Sequence, residues 1–157
     1  MPTAKRNYDW SGELEKITDK AYQQHLYLLY AKISRNPLFK YITPEGHLQI
    51  FVSQYVKFKY PNVLCHHSPN EGKRGNFARW MLDLFIVKSV PDTMIYKPST
   101  DRYGILHYGL AIELKIKGGK LTPRQTECLD QLTLADWSTH TLFTFDCAKK
   151  VIDEYLR

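Results

Sequence analysis

The sequence predicts an α/β fold in which a central mixed β-sheet is flanked by helices. Segments whose apolar residues recur at three- and four-residue steps alternate with short segments rich in β-branched and aromatic residues. The predicted order of elements is α-α-β-α-β-β-α-β-α, and alternation of this kind favours a sheet with helices on both faces. The chain has 157 residues, which is the size of one ordinary domain with a single core.

An amphipathic helix is predicted over residues 12–34, before the Asn36-Pro37 pair that disfavours its continuation. Its apolar stripe consists of Leu14, Ile17, Ala21, Leu28 and Leu29. The stripe must be buried somewhere, either against the rest of the chain or in a homodimer. We expect residues 1–40 to form a helical extension on a main domain of residues 41–157, within one compact unit.

The main domain is predicted to begin with a helix from Thr43 to Tyr60, with Thr43 as its N-cap and Pro44 in its first turn. A capping box at residues 122–125 marks the start of a later helix that ends near Leu134. The other predicted elements are a strand at 62–66, a helix at 77–87, a hairpin of strands at 92–97 and 108–117, a strand at 139–145 and a final helix capped by Asp146.

The composition is basic. Lys and Arg number 22 against 16 for Asp and Glu, which gives a formal net charge of +6. A positive surface gains affinity for nucleic acid by displacing counterions, so this charge favours a polyanionic partner. A basic protein without such a partner is an equally good explanation of the charge taken alone.

The cysteines and the apolar segments indicate a cytoplasmic protein. Cys65, Cys128 and Cys147 are odd in number, widely spaced and without a CxxC pair, which argues against a disulfide scaffold and a zinc site. The sequence shows no apolar signal-peptide core at its start and no apolar run near the roughly 18 residues of a membrane span. We therefore expect an intracellular protein without a membrane segment.

The predicted hairpin brings two acids together. If its strands fold back symmetrically about Arg102 and Tyr103, Asp92 and Glu113 fall opposite each other, because they are equally distant in sequence from that pair. Directly opposed residues have Cβ atoms roughly 5 Å apart, so the two carboxylates can share a divalent cation.

Side-chain alternation along a strand adds a lysine to the two acids. Glu113 and Lys115 share one face of their strand with Gly109 and Ala111, whose small side chains are expected to leave room around the carboxylates. Two acids beside a lysine are costly to bury without a compensating charge, which Mg²⁺ can supply. The alternative is an ordinary ion pair on a solvated sheet face.

Four motifs follow one another between Thr43 and Arg157. They are His67-Ser-Pro-Asn-Glu-Gly-Lys-Arg74, Val90-Pro-Asp92, Ile112-Glu-Leu-Lys115 and Gly119-Lys-Leu-Thr-Pro-Arg-Gln125. Together they closely resemble the VRR-NUC family, a branch of the PD-(D/E)XK nucleases, and the linked set is far more specific than any one short motif. The resemblance implies a restriction-endonuclease-like α/β core, to which residues 1–40 add an extra N-terminal helix.

The resemblance also implies an activity, the hydrolysis of DNA phosphodiesters with Mg²⁺ or Mn²⁺. It makes Asp92, Glu113 and the backbone carbonyl of Leu114 the metal ligands, and it places Lys115 beside the attacking water.

Further site residues follow from the same resemblance. It implies that Glu45 is a further acid of the site and that Gln125 is a further catalytic-site residue. A position at a helix N-terminus explains both residue types without any catalytic role. The residues implied to bind DNA are His67, Asn70, Lys73, Arg74 and Lys120. The loop that holds the first four of these also encodes simple turns, so a tight connector is the alternative.

Two positions depart from the family pattern. Ser89 stands just before Val-Pro-Asp where the family usually has glycine, and Asp136-Trp137 stands after the penultimate helix where the family usually has Gly-Tyr. Neither departure replaces an implied metal ligand, so both bear on the local backbone path rather than on the activity.

The sequence therefore favours a metal-dependent DNA endonuclease. We expect it to prefer branched DNA, such as a Holliday junction, in replication, repair or recombination, but the sequence leaves a flap, a splayed duplex and a linear duplex open as alternatives. A homodimer is the candidate assembly. A non-catalytic DNA-binding module on the same fold is the alternative, although a binding module has no need of clustered acids facing a polyanion. A protein-interaction scaffold is favoured only by residues 1–40.

Overall fold

The computed structural model describes residues 8–68, 80 and 89–157. Within these ranges the helices are α1 (Trp10–Glu15), α2 (Lys20–Ile33), α3 (Pro44–Lys59), α4 (Pro123–Leu134) and α5 (Phe145–Tyr155), with a 3₁₀ helix at Pro37–Tyr41. The strands are β1 (Cys65–His67), β2 (Thr93–Ile95), β3 (Ser99–Thr100), β4 (Leu106–His107), β5 (Leu110–Leu114) and β6 (Ser138–Leu142). The helix predicted at 77–87 lies outside the described residues except for Trp80.

No helix in the described ranges combines the length and the apolar surface that crossing a bilayer requires.

The main sheet has the strand order β1-β2-β5-β6 and is mixed, as predicted. β1 pairs antiparallel with β2, and β2 pairs antiparallel with β5, whereas β5 and β6 run parallel. β3 and β4 form a separate two-stranded hairpin within the connection from β2 to β5. The two strands that carry the candidate acids are therefore neighbours at the centre of the sheet.

Helices cover both faces of this sheet, which confirms the predicted fold class. On one face, Ile112 and Leu114 of β5 belong to the same buried cluster as Phe51 of α3. On the other face, the Thr133 side chain of α4 shares a hydrogen bond of 2.7 Å with Thr139 of β6. Thr139 and Ile112 point to opposite faces because side chains alternate along paired strands and Ile112 pairs with the next residue of β6.

The prediction of one N-terminal helix over 12–34 is wrong, because the chain forms α1 and α2 with a break between them. The physical reason is Asp19, whose side chain accepts a hydrogen bond of 3.0 Å from the backbone N–H of Tyr22 and caps a new helix. Because the second helix starts anew at Lys20, a different set of its residues faces the core than in one continuous helix. The predicted stripe residues Ala21 and Leu28 are consequently exposed, and Tyr22 and Leu26 are buried instead.

The N-terminal helices bury their apolar face within the chain. Leu14 of α1, Ile17 and three residues of α2 lie in one continuous hydrophobic cluster with α3, β2, β5 and α5. Of the two burial sites that the sequence allows, the rest of the chain or a homodimer, the structure shows the first for these residues.

Helix α3 begins as predicted, with Thr43 as its N-cap and Pro44 in its first turn. Helix α5 begins two residues earlier than predicted. Its N-cap is Thr144, whose side chain accepts a hydrogen bond of 3.2 Å from the backbone N–H of Cys147, whereas Asp146 lies in the first turn. The segment 139–145 is correspondingly split, because β6 ends at Leu142 and Phe145 belongs to the helix.

A cluster of polar side chains joins α3 to α5 around Asp153. Its carboxylate accepts hydrogen bonds from the Tyr55 and Tyr60 hydroxyls at 2.8 and 2.6 Å, and from Lys59 and Lys149 at 3.1 and 3.0 Å. Burial alone would raise the pKa of Asp153, but these hydrogen bonds outweigh burial and hold the pKa well below its usual range.

We predict that Asp153→Asn lowers the free energy of unfolding by about 1–3 kcal/mol at pH 7, because it removes the charged acceptor of several hydrogen bonds. A carboxylate whose pKa is lowered by folding stabilises the protein above its unfolded pKa of about 3.9, and this contribution is lost as the pH falls further. Urea unfolding at pH 7 and pH 3 should therefore show a smaller difference from the wild type at pH 3. Glu154→Gln, an exposed neighbour on α5, is the control. Equal stability of Asp153→Asn and the wild type at pH 7 would contradict a stabilising role for the hydrogen bonds to Asp153.

Candidate metal centre

The pairing of β2 with β5 positions the two acids. Thr93 pairs with Ile112, and Met94 pairs with Ala111. Both pairs are symmetric in sequence about Arg102 and Tyr103, as predicted for the hairpin. One further residue along the two strands therefore places Asp92 beside Glu113.

The acids lie inside the protein. Asp92 is 2% exposed, Glu113 is 1% exposed and Lys115 is 7% exposed. Burial of this degree does not fit an ion pair on a solvated sheet face. Buried charges require partners or a bound ion, so the surroundings of each carboxylate decide what the site can do.

Three carboxylates converge at this place. Glu45, Asp92 and Glu113 each offer one oxygen, and these oxygens lie within 4.8 Å of one another. Glu45 comes from the first turn of α3, where the predicted N-cap Thr43 starts the helix. The Lys115 Nζ donates to Glu113 Oε1 at 2.8 Å and to Glu45 Oε1 at 3.3 Å. A helix and two central strands therefore supply three acids and one lysine to a single buried point.

Both oxygens of Asp92 accept a hydrogen bond. The backbone N–H of Leu114 donates to Oδ2 at 2.8 Å, and the Gln49 side chain donates through Nε2 to Oδ1 at 2.7 Å. Sequence reasoning missed Gln49. A signal was present, because Gln49 follows Glu45 by four residues and side chains at that spacing lie on the same helical face.

The predicted capping box of α4 is confirmed and orients Gln125. The backbone N–H of Thr122 donates to Gln125 Oε1 at 2.9 Å, while the Thr122 hydroxyl accepts from the backbone N–H of Gln125. With its oxygen engaged at the helix terminus, the Gln125 amide directs Nε2 to the carboxylate of Glu113, to which it donates a hydrogen bond. The capping role and the site contact belong to the same side chain.

Burial dominates the electrostatics of the acids. Burial raises the pKa of Asp92 to about 7, and the neighbouring charge of Glu113 adds to this shift. Burial likewise raises the pKa of Glu113 above its ordinary value, against the opposing effect of the Lys115 hydrogen bond. For Lys115 burial alone would lower the pKa, but the contacts with Glu113 and Glu45 together outweigh burial and raise it. The acids therefore lie in a place where one ammonium group does not fully compensate their charge.

The donor set fits a hard divalent cation. Glu113 Oε2 is buried and has no hydrogen-bond partner among the described residues. An orphaned carboxylate oxygen in a cluster of three acids is what a cation with oxygen ligands would satisfy. Because all three candidate side-chain ligands are carboxylates, the chemistry suits Mg²⁺ or Mn²⁺ better than a metal that prefers nitrogen or sulfur.

His67 is not brought to this cluster. Its ring nitrogens lie 3.2 Å from Thr93 Oγ1 and 3.3 Å from Cys65 Sγ. Since His67 pairs with Thr93 and Thr93 pairs with Ile112, its side chain points to the sheet face opposite to Glu113. Burial lowers the pKa of His67 to about 4, which keeps the ring neutral at pH 7.

The remaining predicted DNA contacts lie in two connecting segments. Lys120 is exposed in the segment between β5 and α4. Its neighbour Gly119 packs on the lysine of the cluster, because a Cβ added to Gly119 would lie 3.4 Å from Lys115 Cβ. The predicted contacts Asn70, Lys73 and Arg74 lie outside the described residues.

The expectation that Gly109 leaves room around the carboxylates is wrong. A Cβ at Gly109 would lie 2.4 Å from a ring carbon of Trp137, so the indole fills the space that the glycine opens. Trp137 in turn meets Tyr96 edge-on, with ring centroids 5.5 Å apart. The strand face that carries Glu113 is thus closed by an aromatic pair at its Gly109 end.

Both departures from the family pattern lie at residues with positive φ. Ser89 has φ of 75° and Asp136 has φ of 58°. Glycine adopts this left-handed conformation without the steric cost that a Cβ brings. Asp136 ends α4 in a Schellman arrangement, in which its N–H bonds to Thr133 O and the N–H of Trp137 bonds to Leu132 O. The backbone path that favours glycine is therefore retained although the residues differ.

We predict that Asp136→Gly raises the free energy of unfolding by about 1 kcal/mol, because it relieves the left-handed strain at the end of α4. Asp130→Gly, an exposed position inside the same helix, should lower it by about 1 kcal/mol. Chemical denaturation of the two variants checks the pair. A loss of stability in Asp136→Gly would show that the aspartate side chain matters more at this position than the backbone strain.

Comparison with known proteins supports the fold. No model of a protein family matches the sequence, and no curated protein matches it. A solved structure named VRR_NUC domain protein matches with a TM-score of 0.53 and 24% sequence identity, over 71% of this chain and 87% of that chain. The chain thus shares the fold of a VRR_NUC domain, as the sequence motifs imply.

Proposed function

We propose that the protein is a metal-dependent DNA endonuclease that uses Asp92, Glu113 and Lys115 as its catalytic centre. The observation that supports this proposal best is the convergence of Glu45, Asp92 and Glu113 within 4.8 Å around a buried and unpartnered Glu113 oxygen. The resemblance of the motifs to VRR-NUC nucleases, together with the shared fold, makes DNA the proposed substrate.

The three carboxylates, with the backbone carbonyl of Leu114, would hold Mg²⁺ or Mn²⁺. The cation, when bound, supplies the Lewis acidity and positive charge that phosphodiester hydrolysis requires. The residues of the chain have separate roles. Asp92 and Glu113 hold the cation, and Gln125 fixes one oxygen of Glu113 by its hydrogen bond. Glu45 adds a third carboxylate from α3.

Lys115 is the group that faces the reacting phosphate in this proposal. Its ammonium lies between Glu113 and Glu45 and uses two of its three N–H donors on them, so the third can donate either to an oxygen on which negative charge develops or to the attacking water. Its aliphatic stem lies beside Gly119, since a Cβ added there would come within 3.4 Å of Lys115 Cβ. The ammonium is therefore preorganised before the substrate binds.

Branched DNA is the proposed substrate class, with a role in replication, repair or recombination. This part of the proposal rests on the sequence-based expectation alone. The homodimer was inferred from the predicted N-terminal stripe, of which Leu14 and Ile17 are buried within the chain whereas Leu28 is exposed, so the structure removes only part of that argument.

We predict that cleavage of labelled DNA requires Mg²⁺ or Mn²⁺ and that Asp92→Asn, Glu113→Gln and Lys115→Ala each reduce it by about 100-fold or more. A gel assay compares a four-way junction, a flap and a linear duplex, of which the branched substrates should be cut faster. Glu154→Gln and Lys150→Ala, at exposed positions of α5, are the matched controls.

Two outcomes would contradict this proposal. Wild-type cleavage rates in Glu113→Gln would show that the acid cluster is not the catalytic centre. Metal-independent DNA binding without cleavage of any substrate would favour the non-catalytic DNA-binding module instead.

We also predict that Lys120→Ala reduces the slope of log affinity against log salt by about 1, because one phosphate contact and its released counterion are lost. The support is the exposed position of Lys120 beside Gly119, which packs on Lys115. Lys73→Ala combined with Arg74→Ala should reduce the slope by about 2 on the basis of the motif alone. Lys150→Ala serves as the control, and a slope unchanged in Lys120→Ala would show that Lys120 points away from DNA.

A further inference from the structure

Gln49 occupies an unusual position on α3. Towards the core this helix presents apolar residues such as Leu48, Phe51 and Val52, all of which are buried. Gln49 is half-buried among them, and its side-chain Nε2 donates a hydrogen bond of 2.7 Å to Asp92 Oδ1. An apolar side chain of similar size would fill the same space, so the amide has a reason beyond packing.

The hydrogen bonds on Asp92 fix the orientation of its carboxylate. Oδ1 accepts from the Gln49 side chain and Oδ2 accepts from the backbone N–H of Leu114. Donors from a helix and from a neighbouring strand, one on each oxygen, restrict rotation of the carboxylate plane. The backbone carbonyl of Asp92 accepts a hydrogen bond of 3.1 Å from the Ser68 N–H, but this bond does not fix the orientation of the side chain.

The same helix also supplies an acid of the cluster. Glu45 and Gln49 are four residues apart and therefore share one face of α3. One rigid helix, seated in the core by Phe51 and Tyr55, thus places Glu45 directly and Asp92 through an amide. The spacing of two of the three carboxylates depends on a single element.

We propose that Gln49 is a positioning residue, which orients the Asp92 carboxylate for a divalent cation held with Glu45 and Glu113. This inference rests on the proposed function, since it assigns the cluster to a metal. Partners that orient metal ligands in this way typically change metal affinity by about 10- to 100-fold when they are removed.

The test compares Gln49→Met with Gln54→Met. Methionine keeps the length of the side chain and removes the amide. Gln54 lies on the same helix and also makes one side-chain hydrogen bond, with His25 at 3.1 Å, but it does not contact the acid cluster. Mn²⁺ binding is measured by calorimetry in the absence of DNA, and thermal unfolding is measured in EDTA.

We expect Gln49→Met to bind Mn²⁺ about 10- to 100-fold more weakly than the wild type and Gln54→Met to bind it equally well. The thermal midpoints of the two variants in EDTA should be similar, since each loses one hydrogen bond. At saturating Mn²⁺ the cleavage rate of Gln49→Met should return towards that of the wild type, because Asp92 itself is intact.

The outcomes separate this inference from the proposed function. A wild-type protein that binds no Mn²⁺ would overturn both. Wild-type binding that is retained in Gln49→Met, or reduced equally in Gln54→Met, would overturn the role of Gln49 alone. If Gln49→Met does not fold, Gln49→Asn is measured in its place, since its shorter amide should not span the distance to Asp92. Wild-type affinity in that variant would likewise overturn the role.

Discussion

The register between β2 and β5 is the constraint on which the site depends. A shift of one residue would turn Glu113 and Lys115 to the other face of the sheet, where Ile112 and Leu114 pack in the hydrophobic core. Burying those charges in an apolar cluster would be prohibitively costly, so the alternation of apolar and charged residues along β5 fixes the register. The placement of the acids is thus a consequence of core packing.

Each acid is then held by a helix terminus or a backbone group. Glu45 lies in the first turn of α3, and Gln125 reaches Glu113 from the capped start of α4. Helix N-termini carry partial positive charge, which favours nearby anions. The first turns of two helices thus contribute residues to a cluster that burial would otherwise disfavour, and a bound cation would offset the charge that remains.

The strongest sequence patterns predicted the structure well, and local chemistry explains the failures. The hairpin symmetry was sufficient to place Asp92 beside Glu113, and the capping box located the start of α4. That the capping side chain of Gln125 also reaches Glu113 does not follow from the capping box. Gln49 was missed because its spacing from Glu45 shows only that the two residues share a helical face, whereas its contact with Asp92 depends on how α3 packs against the sheet. The single N-terminal helix was wrong because a periodic stripe does not reveal the cap at Asp19 that resets its phase. Gly109 was misinterpreted because Trp137, which fills its space, is distant in sequence.

We propose that Asp92 and Glu113 bind one divalent cation between them. A crystal of the protein grown with Mn²⁺ and measured near the manganese absorption edge tests this claim directly. We expect an anomalous peak at about 2.0–2.6 Å from oxygens of both carboxylates. Well-ordered Asp92 and Glu113 side chains without a peak between them, at a Mn²⁺ concentration that supports cleavage of DNA, would contradict the account.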